Sequence, residues 1–96
     1  MPLAIGVREG EDFYVGNDKF LLEEIVSETN FKLVHCTPAM NYQFRVTDQQ
    51  MTEVMPNVKV GVGLKGTMNM VRVLIDAPKN LKILRGELYR EEHGSK

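Results

Sequence analysis

His35 and Cys36 are the two residue types that nucleophilic catalysis most often combines, and they are adjacent in the sequence. They stand in an apolar stretch that predicts a β-strand, and neighbouring strand residues point to opposite faces. An imidazole on one face cannot take a proton from a thiol on the other, so the pair cannot act as base and nucleophile. We therefore expect Cys36 to be a buried structural thiol.

The segment 61–66 repeats the glycine spacing of dinucleotide-binding loops. That motif requires a following helix to hold the pyrophosphate, whereas these glycines lie in a predicted strand and turn with no helix after them. Glu9, Glu11 and Asp12 fall in a predicted turn, where we expect them to be solvated. No Cys/His cluster has the spacing of zinc ligands. We expect no catalytic residue, metal or cofactor, and hence no enzymatic activity.

Arg8 and Arg85 each lie at the end of a predicted strand, a position that suits nucleic-acid binding and not catalysis. A guanidinium can pair with a phosphate or stack on a base, and the backbone groups of a strand edge can read unpaired bases. A solvated surface charge is the simpler interpretation of such an arginine. Because the chain of 96 residues has a net charge of −1, any RNA binding requires a local basic patch.

The composition is typical of one soluble domain spanning 1–96, with 43% hydrophobic and 26% charged residues. A single cysteine forms no internal disulfide, which indicates a reducing compartment. No apolar run approaches the roughly 20 residues of a membrane-spanning helix, and the first residues do not resemble a secretory signal. The predicted location is the cytoplasm, with no membrane partner.

Short alternating segments between turn residues predict a mostly β fold, a small sandwich or barrel of antiparallel strands with one or two short helices. Residues 20–26 suit a helix or a strand. A short helix is predicted over 48–55, ended by Pro56, and a helical turn over 86–92. A hairpin turn is predicted over 65–69. The predicted strands are 3–8, 13–15, 31–36, 42–46, 58–64, 70–75 and 81–84.

Two segments resemble the carbon storage regulator (CsrA/RsmA) family of RNA-binding translational regulators. The first is the strand 3–8, a Gly-Glu turn, an apolar triplet and Gly16-Asn17-Asp18. The second runs from strand 71–75 through Ala77-Pro78-Lys79 to Arg85-Gly86-Glu87-Leu88-Tyr89. This second match is the more specific, since its turn, its arginine and its Glu-Leu-Tyr keep the family spacing. Together they cover about half of the chain.

The resemblance implies a CsrA-like fold and a bacterial or phage regulator that represses translation or alters mRNA stability. In the family, a GGA in a hairpin loop binds between the first strand of one protomer and the fifth strand of the other. The resemblance implies hairpin-loop or single-stranded RNA as the ligand. It also implies a protein partner, either a second copy of this chain in a strand-exchanged dimer or another CsrA-type protein. The RNA-binding residues implied here are Leu3, Ala4, Ile5, Gly6, Arg8, Ala77, Pro78, Ile83, Leu84, Arg85 and Glu87.

Several residues depart from the family pattern. Val7 replaces a basic residue, Leu74 a glycine, Leu84 a polar residue and Gly86 an acidic one. The acidic balance, Val7 and Gly86 favour a second hypothesis, a degenerate protein-interaction module that antagonises a genuine regulator by pairing with it or competing for its partner. Arg8, Arg85 and the Ala-Pro-Lys turn favour RNA binding. If the first hypothesis holds, we expect Val7→Arg to restore a phosphate contact and tighten RNA binding.

The chain is longer than its family, with roughly 40 residues between the second strand and the last hairpin. A 40-residue shift aligns 19–22 with 59–62, 31–34 with 71–74, and Phe44-Arg45 with Leu84-Arg85. This favours an internal duplication with candidate repeat units 1–48 and 57–92, the second lacking its first two strands. The alternative is one copy with an insertion. Duplication predicts a monomeric pseudo-dimer, and insertion predicts a strand-exchanged homodimer.

Overall fold

The computed structural model describes residues 3–64, 66–67 and 69–93, which form nine strands and one helix. The mostly β fold class predicted from the sequence is confirmed. The elements are β1 (Leu3–Arg8), β2 (Asp12–Val15), β3 (Asp18–Ser27), β4 (Asn30–Cys36), β5 (Asn41–Thr47), β6 (Thr52–Met55), β7 (Val58–Val62), β8 (Met70–Asp76), β9 (Ile83–Arg85) and α1 (Gly86–His93).

The strands form two antiparallel sheets that share one hydrophobic core. The four-stranded sheet has the order β1-β8-β7-β6, and the five-stranded sheet has the order β5-β4-β3-β2-β9. Alternate residues of both sheets face inward, which is the packing of a β-sandwich. Each fully buried apolar side chain contributes about 1.5–3 kcal/mol. The fully buried residues include Phe13, Phe20, Phe31, Leu22, Leu33, Val58, Val60, Val71 and Ile75.

The predicted helix over 48–55 is wrong. Residues 52–55 form strand β6, in which Thr52 lies opposite Val60 of β7, and the side chain of Val54 is buried in the core. Pro56 and Asn57 then make a two-residue turn in which Asn57 has a φ of 66°. Pairing with β7 outweighs the local helical pattern of this segment, because it buries a valine that an isolated short helix would leave exposed.

Other ambiguous segments are resolved by their neighbours. Residues 20–26 belong to β3, which pairs with β2 and β4. The C-terminal helical turn is present as α1. The hairpin turn predicted over 65–69 includes Lys65 and Met68, which lie outside the described residues. The described part of the chain has no helix that is long and apolar enough to cross a bilayer.

The two sheets repeat one arrangement of strands. In each, a hairpin (β3–β4 or β7–β8) is flanked on one side by a short strand, β2 or β6, and on the other by an edge strand, β5 or β1. The 40-residue shift relates β4 to β8, so His35 corresponds to Ile75. Because Tyr42 lies opposite His35 and Leu3 lies opposite Ile75, β5 corresponds to β1.

This correspondence corrects the predicted alignment of the repeats. Arg45 corresponds to Gly6 of β1 and not to Arg85, since β5 flanks β4 whereas β9 flanks β2. By strand order the two units are residues 3–36 and 41–93, and the first unit lacks a fifth strand. The 40-residue shift holds for β3 and β4 against β7 and β8 but is one residue too long for β1 against β5, because the bulge in β6 between Glu53 and Met55 adds one residue to the second unit.

Candidate nucleic-acid interface

The first and last strands of the chain meet although they belong to different sheets. β1 is the edge of the four-stranded sheet, and β9 is the edge of the five-stranded sheet, where Arg85 lies opposite Phe13. The Nη1 of Arg85 donates a hydrogen bond to the backbone carbonyl oxygen of Gly6. The two strands that sequence analysis assigned to RNA binding therefore come together within a single chain.

Gly6 lies among three arginines from three strands. Arg72 of β8 is its register partner, and Arg8 is two residues further along β1. Cross-strand partners and residues two positions apart lie on one face of a sheet, so Arg8 and Arg72 share the outer face with Gly6. Arg85 reaches Gly6 from the other sheet. We call Arg8, Arg72 and Arg85 the arginine cluster.

Arg72 was not predicted as a site residue. Its Nε is buried, and no hydrogen-bond partner for it exists in the part of the chain that the structure describes. A buried donor without a partner costs about 1–3 kcal/mol. The sequence could have indicated Arg72 through the alternating run 71–75, which places Arg72 on the sheet face opposite to that of the buried valines.

The acidic residues near the arginine cluster are engaged with the backbone or with cations. Glu9 accepts a hydrogen bond from the backbone N–H of Ile25 at 3.1 Å, and Glu11 accepts one from the N–H of Arg8 at 2.9 Å. Glu9 and Glu11 are exposed, as expected, and they also accept backbone hydrogen bonds, whereas Asp12 is half-buried. Glu9 and Glu11 fix the β1–β2 turn, and with it the position of Arg8.

Asp12, the third of these carboxylates, anchors α1. Its Oδ2 lies 2.9 Å from Nη1 of Arg90 and 3.9 Å from Nζ of Lys19. A Cβ on Gly86 would lie 2.5 Å from Asp12 Cγ, so only glycine at this position lets the carboxylate approach the start of the helix. The hydrogen bond and negative charge of Asp12 raise the pKa of Arg90 above its ordinary value.

A surface cleft of about 320 Å³ lies between the β1–β2 turn, β9 and α1. It presents both hydrogen-bond donors and acceptors, because two arginines and three carboxylates line it. A ligand in this cleft needs donors as well as acceptors, as the Watson–Crick edge of a nucleobase has. The lining residues are Val7, Gly10, Glu11, Asp12, Arg85, Gly86, Glu87 and Arg90.

The first-strand residues assigned to the site divide between the two faces of β1. Ala4 and Arg8 are exposed on the face that carries buried Gly6. Leu3 is exposed at the start of the strand, and Ile5 packs partly against the core. The edge of β1 is therefore accessible mainly through its backbone and its outer face.

The site residues assigned between Ala77 and Glu87 also lie in different places in the structure. On β9, Arg85 and half-buried Ile83 share one side, whereas Leu84 points to the other and lines a separate cleft with Tyr89. Glu87 lies in the first turn of α1, in the cleft beside Arg85. Half-buried Ala77 and Pro78 follow β8 at the end that pairs with Leu3. Of these residues, Arg85 contacts Gly6, whereas Leu84 lies on the other side of β9 and Ala77 and Pro78 lie near the start of β1.

Val7 cannot take the role that its family position suggested. Its side chain is only 2% exposed and lies opposite Val71 in the core. An arginine here would be buried among apolar residues and would not reach a phosphate. The expectation that Val7→Arg restores a phosphate contact is therefore wrong.

His35 and Cys36 point to opposite faces of β4, as predicted. His35 is buried, with its Nε2 3.1 Å from Asp18 Oδ1 and its ring stacked 4.5 Å from that of Phe20. Cys36 is half-buried, not buried as expected, and it donates a weak hydrogen bond to the carbonyl of Val34 at 3.9 Å. Within the described ranges no group of three His, Cys, Asp or Glu residues is placed to hold a metal ion.

Comparison with known proteins identifies no relative. No protein-family model, no curated protein sequence and no solved structure matches this chain.

Proposed function

We propose that this chain is a single-chain RNA-binding regulator, acting in the cytoplasm, that holds an unpaired GGA segment of an mRNA hairpin loop on β1 and the arginine cluster. By this contact it alters translation or mRNA stability. The observation that carries the proposal is the hydrogen bond from Arg85 to Gly6, which joins the first and last strands without a second protomer. The carbon storage regulator resemblance supplies the class of ligand.

The local chemistry supports this function despite the net charge of −1. Arg8, Arg72 and Arg85 come from separate strands, and Glu9 and Glu11 beside them are engaged with backbone amides. Guanidinium groups recognise phosphates and stack on bases, and an edge strand offers unpaired backbone groups to base edges. The missing side chain of Gly6 makes room for Met70, whose Sδ would lie 2.8 Å from a Cβ at this position, so β1 is open to a ligand along its free edge and not over Gly6.

A titration with two RNAs tests the proposal. We expect the full chain to bind a GGA hairpin at least tenfold more tightly than a hairpin of the same stem with a scrambled loop. If three arginines neutralise three phosphates, the slope of log K against log salt is about −2 for a single strand. Equal affinity for both hairpins would refute sequence-specific binding, and no affinity for either would refute RNA binding altogether.

One observation favours the alternative, an antagonist that pairs with a genuine regulator. β6 has no partner strand on its outer side in the described structure, although β2, its counterpart, is covered there by β9. A fifth strand from another CsrA-type protein would fit this edge. The bulge in β6, the charge of Glu53 and the adjacent Pro56 are features that discourage strand addition. Light scattering of an equimolar mixture with such a protein decides, since only the antagonist forms a mixed complex.

A further inference from the structure

The cleft beside Arg85 has the size of a pocket for one nucleotide. It lies between the β1–β2 turn, the end of β9 and the first turn of α1, and its volume is about 320 Å³. Ligand pockets in proteins commonly measure about 300–1,000 Å³, so this cleft is at the lower end of that range. It suits a single base with its ribose and not a stack of several nucleotides.

The charges that line the cleft disfavour a phosphate. Two arginines and three carboxylates line it, which leaves one negative charge in excess. Arg90 and Asp12 compensate each other, because Nη1 and Nη2 of Arg90 lie 2.9 and 3.4 Å from the two carboxylate oxygens of Asp12. A phosphate in the cleft would meet the other two carboxylates, those of Glu11 and Glu87. An uncharged base meets no such repulsion, so the cleft favours a base over the RNA backbone.

Arg85 and Glu87 keep polar groups available for a ligand. Both side chains are exposed. Nη1 of Arg85 donates to the carbonyl oxygen of Gly6, and a guanidinium has five N–H donors, so most of its donors remain. The Glu87 carboxylate makes no hydrogen bond or ion pair within the ranges that the structure describes, and hence none with Arg85. The cleft therefore presents an available guanidinium and an available carboxylate side by side.

Guanine is the base that complements these two groups. Its O6 and N7 are acceptors that match the parallel N–H groups of a guanidinium. Its Watson–Crick edge carries two adjacent donors, N1–H and the N2 amino group, which match the two oxygens of a carboxylate. Adenine, cytosine and uracil each have a single donor group on that edge. A carboxylate next to a guanidinium therefore selects guanine.

We infer that this cleft is a guanine-specific pocket, in which Arg85 donates to O6 and N7 and Glu87 accepts from N1–H and the N2 amino group. The inference rests on the proposed function in that this guanine belongs to the bound GGA. The Asp12–Arg90 pair positions the pocket, since it holds α1, which carries Glu87, against β2. The other two arginines of the arginine cluster then remain for phosphates, so the salt slope is about −1.4 in place of −2.

Inosine, which lacks only the N2 amino group of guanosine, tests the pocket with the full chain. We expect inosine at one of the two guanines of the GGA loop to raise the Kd of wild type about tenfold, as loss of a hydrogen bond to a charged group does. Glu87→Ala should raise the Kd of the unmodified hairpin at least tenfold and abolish the effect of inosine. This direction is informative, because removal of a negative charge otherwise strengthens binding to a polyanion.

Glu91→Ala is the matched control. Glu91 is an exposed carboxylate on α1, one turn beyond Glu87, and it is not among the residues that line the cleft. Glu91→Ala should bind the hairpin at least as tightly as wild type and keep the effect of inosine. Undiminished hairpin binding by Glu87→Ala, or an effect of inosine that persists in that variant, overturns the guanine pocket and leaves the proposed function standing.

Guanosine without RNA separates the two proposals. If the hairpin does not bind wild type at all, the proposed function fails, and a nuclear magnetic resonance titration with guanosine then tests the pocket alone. Shifts of the Gly10 and Gly86 amide signals that are absent with adenosine and absent in Glu87→Ala support the pocket. Signals that do not move with guanosine, or that move equally with adenosine, overturn it.

Discussion

Arg85 is the residue on which the interface depends, since its side chain joins β9 to β1. Arg85→Ala removes a cation and exposes the carbonyl of Gly6, so we expect the Kd for a GGA hairpin to rise about 10–100-fold, as a charged hydrogen bond contributes about 1.5–3 kcal/mol. Circular dichroism should show the same fold. Arg85→Lys keeps the charge but loses the planar guanidinium, so we expect its Kd to lie between those of wild type and Arg85→Ala. Undiminished binding by Arg85→Ala would remove Arg85 from the site.

Ala4, and not Val7, is the position at which an added cation should strengthen RNA binding. It is exposed on the face that carries Gly6 and Arg8. We expect Ala4→Arg to tighten hairpin binding and to steepen the salt slope by about 0.7, the value for one added phosphate contact with a single strand. An unchanged slope in a salt titration would mean that this face does not meet the RNA backbone.

Val7→Arg should destabilise the fold and should not strengthen RNA binding. Because Val7 is 2% exposed, an arginine there buries an unpaired charge. We expect a loss of about 3 kcal/mol or more of unfolding free energy in a urea titration, or failure to fold. A variant as stable as wild type would contradict the buried position of Val7 and reopen its role in binding.

At the scale of elements, Asp12 and Gly86 determine how α1 sits on β2. Gly86→Ala places a methyl group against the Asp12 carboxylate, and we expect it to cost about 1–3 kcal/mol, as overpacking commonly does. The same substitution in an Asp12→Ala background should cost much less. Denaturant unfolding of the four variants gives the coupling energy. Equal costs in both backgrounds would show that the two residues do not meet.

The sequence predicted the elements whose pattern is local and missed those decided by partners. Strands β1, β4, β5 and β8 follow from alternation alone. The segment 48–55 has a helical pattern, yet it becomes a strand because β7 supplies a pairing edge and the core accepts Val54. The repeat was visible in the spacing, but the bulge in β6 shifts one unit by a residue, which an ungapped comparison cannot detect.

The candidate site was predictable to a similar extent. Arg8, Gly6 and Arg85 were identified from a motif, and the structure brings them together. Arg72 was missed because no motif marks it, and its relevance arises only when its register with Gly6 is known. The identity of Gly86, which departs from the family pattern, is explained by the carboxylate of Asp12 in β2, 74 residues earlier in the chain.

At the scale of the whole molecule, the central claim is that one chain contains a complete site. Both flanking strands of that site, β1 and β9, pair with strands of their own chain, so no exchange with a second copy is needed. The counterpart of β1, strand β5, has no fifth strand beside it. If the proposed function holds, the molecule has one complete site and one incomplete counterpart, and we expect it to bind a single hairpin.

The mass of the RNA complex, measured by light scattering at micromolar concentration, tests this claim most directly. We expect the free protein at about its chain mass of 10.9 kDa, and the complex with a GGA hairpin at the mass of one chain plus one RNA. A hairpin with a scrambled loop should leave the protein mass unchanged. A free protein of twice the chain mass, or a complex containing two chains, would contradict the single-chain site.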